Sequence, residues 1–360
     1  MKTRGEFLLT LLLLILLLPL AAAGQQQQQQ PAADPARRLV VTLDGKLEDM
    51  PTLTPDEFQI ELDKQKVAPK RVYKIEELPT LIAIVLQENI RQGFGAQIPA
   101  LRDFILSQPP NTYVGIFYLA GDSIDNPTQG FQADLKKVAE MLRAPKGQAE
   151  LAPPSPYASV AKLGSWMNTI PPARKEILLF SEGTDAIYPD AAPGQNRNVR
   201  VALDHTRDLG IPVWVIFTSD AFAPATRRQG EAAPFGDSEQ GQAGPTSAGS
   251  GLDPRSMNDA SVGGRGTDAG GFAQRSTGFD EPSTRPRVSF NIANLKELAD
   301  KSGGKLLSSK ESLTDIAPLL GEFRTLLSRQ FVLEYDGEPP IKKVRMNRKL
   351  KGVDLLAPEK

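Results

Sequence analysis

The chain has 360 residues, 40% of them hydrophobic and 24% charged, with 42 Lys and Arg set against 43 Asp and Glu. That near balance leaves no electrostatic footprint for nucleic acid. The absence of cysteine excludes disulfides, thiolate metal sites and cysteine nucleophiles together, so a chain of this length has to rely on its own hydrophobic core.

Residues 1–23 read as an export signal. Lys2 and Arg4 open it, Phe7 to Leu20 is almost wholly apolar, and Ala21-Ala22-Ala23-Gly24 supplies a small-residue cleavage site. The apolar core is shorter than the ~20 residues of a membrane-spanning helix, so cleavage after about Ala23 and a secreted or periplasmic product are expected. An uncleaved anchor is the competing reading. Residues 24–37 follow as a low-complexity tether, Gln25 to Gln30 and then Pro31-Ala32-Ala33-Asp34-Pro35.

Residues 38–75 carry short strand-like pieces: Leu39-Val40-Val41, then Leu53 to Phe58, then Ile60-Glu61-Leu62. They predict a small β-rich lead whose partner is the C-terminal segment, where Gln330 to Tyr335 and Ile341 to Met346 also read as strands. The region from 76 to 336 alternates strand and helix. Leu81 to Val85 is an unbroken apolar run, the pattern of a strand buried on both faces. It runs into the polar corner Leu86-Gln87-Glu88-Asn89-Ile90 and then an amphipathic helix.

Tyr113 to Leu119 is a second apolar strand, followed by a helix with Leu135, Val138, Met141 and Leu142 on its inner face. Val160, Leu163, Met167 and Ile170 recur at helical spacing before Pro171-Pro172. Ile177 to Phe180 and Val213 to Phe217 are two more buried strands, with a helix around Val199 to Asp208 between them. Leu295, Leu298 and Ala299 mark another helix, Gly303 to Leu307 a turn into an edge strand, and Leu313 to Leu327 the apolar stripe of the last helix. This rhythm predicts an α/β fold with a doubly wound, mostly parallel central sheet flanked by helices. Residues 221–287 break it with Gly, Ser, Ala, Pro and charge, which reads as a disordered insert. Residues 337–360 read as a terminal strand or hairpin and tail, with Lys342, Lys343, Arg345, Arg348, Lys349 and Lys351 on its solvated side.

Other patterns carry little chemistry. Gly263 to Asp268 matches one calcium-binding repeat, but that architecture needs stacked copies. His205 is the only histidine, expected mid-helix, and no Gly-x-Ser-x-Gly elbow accompanies it. Neither a phosphate-binding loop nor a dinucleotide fingerprint is present. Glu182, Thr184, Asp185 and Asp190 read as a polar loop after a strand, with a cation site as the alternative. Trp166 and Trp214 fall on apolar faces and are expected in the core.

Four pieces together resemble the von Willebrand factor type A fold, in its exported, acidobacterial-type bacterial branch. These are Leu53-Thr54-Pro55-Asp56-Glu57-Phe58 with Ile60 to Asp63, the strand at 81–86, Arg174 to Asp185 as "Arg-Lys, apolar strand, Asp-Gly-x-Asp", and Leu295 to Leu307 followed by Phe323 to Tyr335. The resemblance spans roughly residues 38–350 apart from the insert. It implies a metal-ion-dependent adhesion site built on an Asp-x-Ser-x-Ser corner, a threonine and a later aspartate, because a hard cation needs several converging oxygens.

Here Leu86 stands at the aspartate, Glu88 and Ile90 stand at the serines, the threonine loop maps near Pro154 to Ser159 without a threonine, and the last aspartate maps to Glu182. The resemblance with that ligand set degraded implies a non-catalytic binding module for an unknown protein partner in the envelope or outside the cell, with no cofactor. Its expected contact residues at the top of the sheet are Gln87, Glu88, Asn89, Ser155, Ser159, Glu182 and Asp185. The alternatives are a module that keeps a divalent cation such as Mg²⁺ on Glu88 and Glu182, and an exported hydrolase that uses His205.

Overall fold

Short strands from the two flanks of the chain and longer apolar runs from its middle build separate cores. The structure is a computed structural model that describes residues 37–47, 49–63, 65–90, 92–171, 173–218, 291–308 and 315–360. The export signal, almost all of the tether and the Gly-rich insert lie outside the described residues. The first strands are β1 (Arg37–Gly45), β2 (Phe58–Leu62), β3 (Lys66–Val67), β4 (Arg71–Tyr73) and β5 (Thr80–Gln87). Helix α1 (Ile98–Leu106), strands β6 (Thr112–Ala120) and β7 (Ser123–Asp125), and helices α2 (Leu135–Met141) and α3 (Pro156–Asn168) come next. Then follow β8 (Arg174–Ser181), α4 (Arg197–Asp204), β9 (Val213–Phe217), α5 (Ile292–Ser302), β10 (Leu306–Leu307) and α6 (Ala317–Leu327). The chain closes with β11 (Gln330–Tyr335), β12 (Ile341–Met346) and β13 (Val353–Leu356).

The central sheet has the order β10-β9-β8-β5-β6-β7, parallel throughout except for β7, which turns back along β6. Renumbered within the sheet, this is the 3-2-1-4-5-6 order of doubly wound folds. All eight residues of β5 are buried, because helices cover both faces. Ile82, Ile84 and Leu86 pack with α1, α2 and α6, while Ala83 and Val85 pack with α3, α4 and α5. Helix α5 ends on Gly303 at φ 92°, a left-handed C-cap that suits glycine.

The β-rich part is larger than the sequence pattern suggests. A four-stranded antiparallel sheet, β13-β1-β11-β4, faces a three-stranded one, β12-β2-β3. Strands β1 and β11 align Arg37 with Tyr335 and Val41 with Phe331, which turns Leu39, Val41, Leu43, Phe331, Leu333 and Tyr335 onto one side. Phe58, Ile60, Leu62, Ile341 and Val344 close the core from the other sheet. Strands from the two flanks of the described chain thus form a β-sandwich, in which β2 buries alternate residues while β1 and β11 are buried on both sides along most of their length. Its basic rim is tied to acids, through Lys342–Asp63, Lys343–Glu359, Arg345–Glu61 and Arg348–Glu57 ion pairs.

Sandwich and α/β body meet at the amino-terminal ends of the parallel strands. Arg174, at the start of β8 and 3% exposed, donates to Thr80 Oγ1 at 2.8 Å, the Leu327 carbonyl at 2.8 Å and Gln330 Oε1 at 2.9 Å. Gly210 sits at φ +65°, and a Cβ there would meet the Arg38 carbonyl and lie 2.6 Å from Leu39 Cα. The tail adds two stitches, from Glu359 N–H to the Lys301 carbonyl at 3.0 Å and from Lys360 N–H to the Lys342 carbonyl at 2.9 Å.

Several elements depart from the sequence reading. Helix α4 stops at Asp204, so His205 is its C-cap and not a mid-helix residue. Helix α2 stops at Met141, and Leu142 is buried outside it. Helix α6 starts at Ala317, and Leu313 lies outside the described residues. Trp214 is in the core, but Trp166 is 40% exposed, stacked on Phe131 at a centroid distance of 5.6 Å. One face of an indole is covered there, which satisfies helical spacing without full burial.

Two predictions follow from this seam. Glu176 shares a face of β8 with Arg174, is fully buried, and accepts from Trp214 Nε1 at 2.7 Å. Burial pushes its carboxyl up to about 7, outweighing Arg174 and the indole, which pull it down. A raised acid costs nothing while both states are protonated, and the cost grows as pH rises from the unfolded value to the folded one. Glu176→Gln should therefore match the wild type below pH ~4.5 and exceed it above pH ~7 by roughly 3 kcal/mol, read from urea melts across that range. Gly210→Ala should lose about 1–2 kcal/mol through its positive φ and the Leu39 contact, read in the same melts at neutral pH.

Candidate functional site

The carboxyl ends of β5, β8 and β9 and the amino ends of α3 and α5 converge on one pole of the sheet. Open α/β sheets offer their ligand crevices at this end of the strands. Gln87 ends β5, and its Oε1 accepts the Glu182 N–H at 3.0 Å, tying the first corner to the loop after β8. Ser181 reinforces that loop, since its hydroxyl accepts the Gly183 N–H at 2.9 Å and its carbonyl accepts the Thr218 N–H at 3.0 Å.

Glu88 is 1% exposed, and its charge is matched within the molecule. One oxygen pairs with the Arg143 guanidinium, and the other accepts the Lys146 N–H at 2.8 Å. Burial pushes this carboxyl up, but the Arg143 hydrogen bond and the Lys146 amide outweigh it and hold it below the usual range. The guanidinium lies 3.8 Å above the centre of the Tyr118 ring, a cation–π seat. The Tyr118 hydroxyl donates to the Arg143 carbonyl at 2.7 Å and accepts its N–H at 2.8 Å, while burial pushes its pKa up to about 12. Asp125 adds a second carboxylate 3.4 Å from Arg143 Nη2. Backbone, ring and two acids thus fix one cation at the end of the central strand.

Asp185 forms a second hub. Its Oδ2 accepts from Ser155 Oγ and from Asn196 Nδ2, each at 3.0 Å, and its Oδ1 accepts the Ile187 and Tyr188 amides at 2.9 and 3.1 Å. Ser155 stands at the N-cap of α3 yet makes no side-chain cap bond, so its hydroxyl serves Asp185 and Pro156 alone favours the helix start. Asn196 does both jobs, because its Oδ1 caps α4 through the Asn198 and Val199 amides at 2.9 and 3.3 Å.

The structure therefore places the seven residues expected at the contact surface around one pole but turns most of their side chains inward. Gln87, Glu88, Ser155, Ser159, Glu182 and Asp185 are all buried, and Asn89 is half-buried. These residues form the underside of the crown, because Arg143, Lys146 and Gly147 bond Glu88 and the 185–188 turn closes on Asp185. Among the described residues no hydrogen bond joins the Ser159 hydroxyl to the other six. Leu86 and Ile90 belong to the core under α1. Among the described residues, the buried Gln87 Nε2, Tyr157 OH, Thr184 Oγ1, Thr218 Oγ1 and Asn294 Oδ1 have no hydrogen-bond partner, which marks the pole as polar.

Sequence reasoning missed Arg143, Tyr118 and Asn196. Arg143 and Asn196 sit at ordinary helix flanks, and Tyr118 reads simply as a strand aromatic. It also missed a neighbour of His205: Ser165 Oγ lies 2.9 Å from His205 Nδ1. His205 is exposed, and among the described residues no carboxylate bonds its other nitrogen, so the pair lacks the oriented base that nucleophilic catalysis needs.

No family model and no curated protein matches the chain. Solved structures do show similarity. An aerotolerance-related membrane protein from Bacteroides fragilis NCTC 9343, with multiple mutations to serines, is 13% identical, with 69% of this chain and 98% of that chain covered at a TM-score of 0.38. The conserved hypothetical protein BatB from Bacteroides thetaiotaomicron is 14% identical, covering 39% and 66% at 0.29. Proximal thread matrix protein 1 from the mussel byssus, with a zinc-occupied MIDAS motif, is 9% identical, covering 39% and 38% at 0.28. These scores are low, and the doubly wound architecture stands on the strand order and helix layers of the chain itself.

The geometry around Glu88 generates a third prediction. Arg143→Met leaves a buried carboxylate without its counter-charge and should cost about 3 kcal/mol at pH 7. Adding Glu88→Gln should recover part of that loss, a coupling read by a double-mutant cycle in urea. The pair's contribution is present above the unfolded Glu88 value and lost as pH falls through its depressed folded value.

Proposed function

We propose that this chain is an exported binding module of the von Willebrand A type, that it recognises a protein partner at the crown of its central sheet, and that it does so without a divalent ion or a catalytic step. One observation carries the metal-free part: Glu88 already holds a cation of the protein's own, the Arg143 guanidinium fixed over Tyr118. A hard cation needs several converging oxygens. The corner offers the buried aliphatic chains of Leu86 and Ile90 where the adhesion site has oxygens, and Asp185 spends both its oxygens on four internal donors. The donor set does not fit a divalent ion.

The rim supports partner recognition. Ile187 is 52% exposed and Ile292 is 42% exposed. The loop carrying Ile187 is pinned to the start of α5, because Asn291 N–H donates to the Gly183 carbonyl at 3.2 Å and Asn291 Nδ2 to the Ala191 carbonyl at 2.8 Å. Two aliphatic side chains beside a polar, rigid crown make a contact surface of apolar anchors within a polar setting.

Titration calorimetry with Mg²⁺ and Mn²⁺ should show no micromolar binding, and capture of a partner from an envelope extract should survive EDTA but not the Ile187→Asp/Ile292→Asp double change. Micromolar Mn²⁺ binding abolished by Glu182→Ala would put the metal-dependent module in its place. Ester or peptide turnover abolished by His205→Ala would put the hydrolase there.

A further inference from the structure

Away from the crown, α4 and α5 face the sandwich across a cleft. One cavity of about 600 Å³ is bounded by Gly194, α4, α5 and the Pro339–Pro340 turn. A second, of about 370 Å³, runs between β1 and the start of β8, and Asp208 lines both, so the two abut. Five cations and three acids line the first, and three more cations, Arg37, Arg38 and Lys175, line the second. The whole chain carries a net charge of only -1. Most of these cations are matched, Arg37 by Glu338, Arg38 by Glu334, Lys301 by Glu297 and Arg207 by Asp204 and Asp208, so on α4 the charge available to a ligand is that of Arg197 and Arg200.

The acids there are already occupied. Glu297 accepts from Lys301 Nζ at 2.9 Å and from the Gly194 amide at 2.7 Å. Arg207 holds Asp208 at 2.6 Å and Asp204 at 3.3 Å. Arg197 and Arg200, three residues apart on α4 and both exposed, have no ion pair or hydrogen bond from their side chains among the described residues. Two free guanidiniums on one helical face suit carboxylates, which they can grip with paired N–H donors. Between the cations the wall is apolar, with Val201 38% exposed beside Leu203, Pro339 and Pro340.

We propose that this cleft docks an extended acidic peptide segment of a partner protein, with Arg197 and Arg200 taking its carboxylates and Val201 with the two prolines taking its apolar side chains. The two abutting cavities favour an extended segment over a small anion. The apolar wall favours a peptide over a sulfated glycan, which has nothing to place against Val201. The proposal stands apart from the crown, since Arg197 and Arg200 make none of its contacts.

The test is fluorescence anisotropy of the whole protein with a fluorescein-labelled decapeptide of alternating Glu and Val. Saturable binding is expected, weakened as salt rises to about 0.5 M, and at least about tenfold weaker in Arg197→Glu/Arg200→Glu, the loss of two close charge pairs. That variant should melt at the wild-type temperature, because both side chains are exposed and make no ion pair among the described residues. Val201→Ser should weaken the Glu–Val peptide while leaving a Glu–Gly peptide unchanged. No saturable binding, affinity indifferent to the double charge reversal, or a heparin oligosaccharide that displaces the peptide and is itself indifferent to Val201→Ser would overturn the proposal.

Discussion

A carboxylate carried into the interior at the end of a fully buried strand has to find its counter-charge there. β5 is covered on both faces over its whole length, so the residue that follows it, Glu88, begins inside the protein. The desolvation cost of a lone ion at such a point is several kcal/mol, more than a typical hydrogen bond returns. Arg143 meets that demand, and the rest of the pole is arranged around the pair. Tyr118 carries the guanidinium on its ring and clasps the Arg143 backbone through its hydroxyl. The 143–147 loop is drawn over the crown by the Lys146 amide on the same carboxylate and the Gly147 amide on the Glu88 carbonyl.

Much of the parallel sheet is legible in the sequence because burial on both faces leaves an apolar run without alternation. The runs at 81–85, 177–180 and 213–217 show no alternation, and all are central strands of the parallel sheet. Leu39 to Val41 and Gln330 to Tyr335 are short and strand-like, and they pair in a separate antiparallel layer. What periodicity does not convey is where side chains bond across long sequence distances. Glu88 and Arg143 are 55 residues apart, and nothing local to either marks them as partners. Polar residues at the corner looked like an exposed face for the same reason: a hydrophilic side chain reads as solvated unless its buried partner is known.

The lower seam is chemically distinct from the crown. Arg174 joins the first residue of β5, the end of α6 and the start of β11 through three acceptors. The sandwich is thereby tied to the strands that end at the crown. Its buried neighbour Glu176 has one oxygen on Trp214 and, among the described residues, no hydrogen bond to the other. Two ionisable residues, two positions apart on one strand, thus sit at opposite ends of the scale of compensation. The molecule keeps the less compensated of them in the region where its two halves join.

The position of Arg37 gives the whole molecule a direction. It lines a cavity together with Ala173 and Lys175, at the foot of β8, and an eight-residue strand separates that foot from the loop carrying Asp185, a rise of roughly 25 Å. Arg37, the first described residue, therefore lies at the base of the sheet, at the opposite end from that loop. The length of β8 thus sets the exposed Ile187 apart from the seam with the sandwich, so the two ends of the parallel strands meet different surroundings.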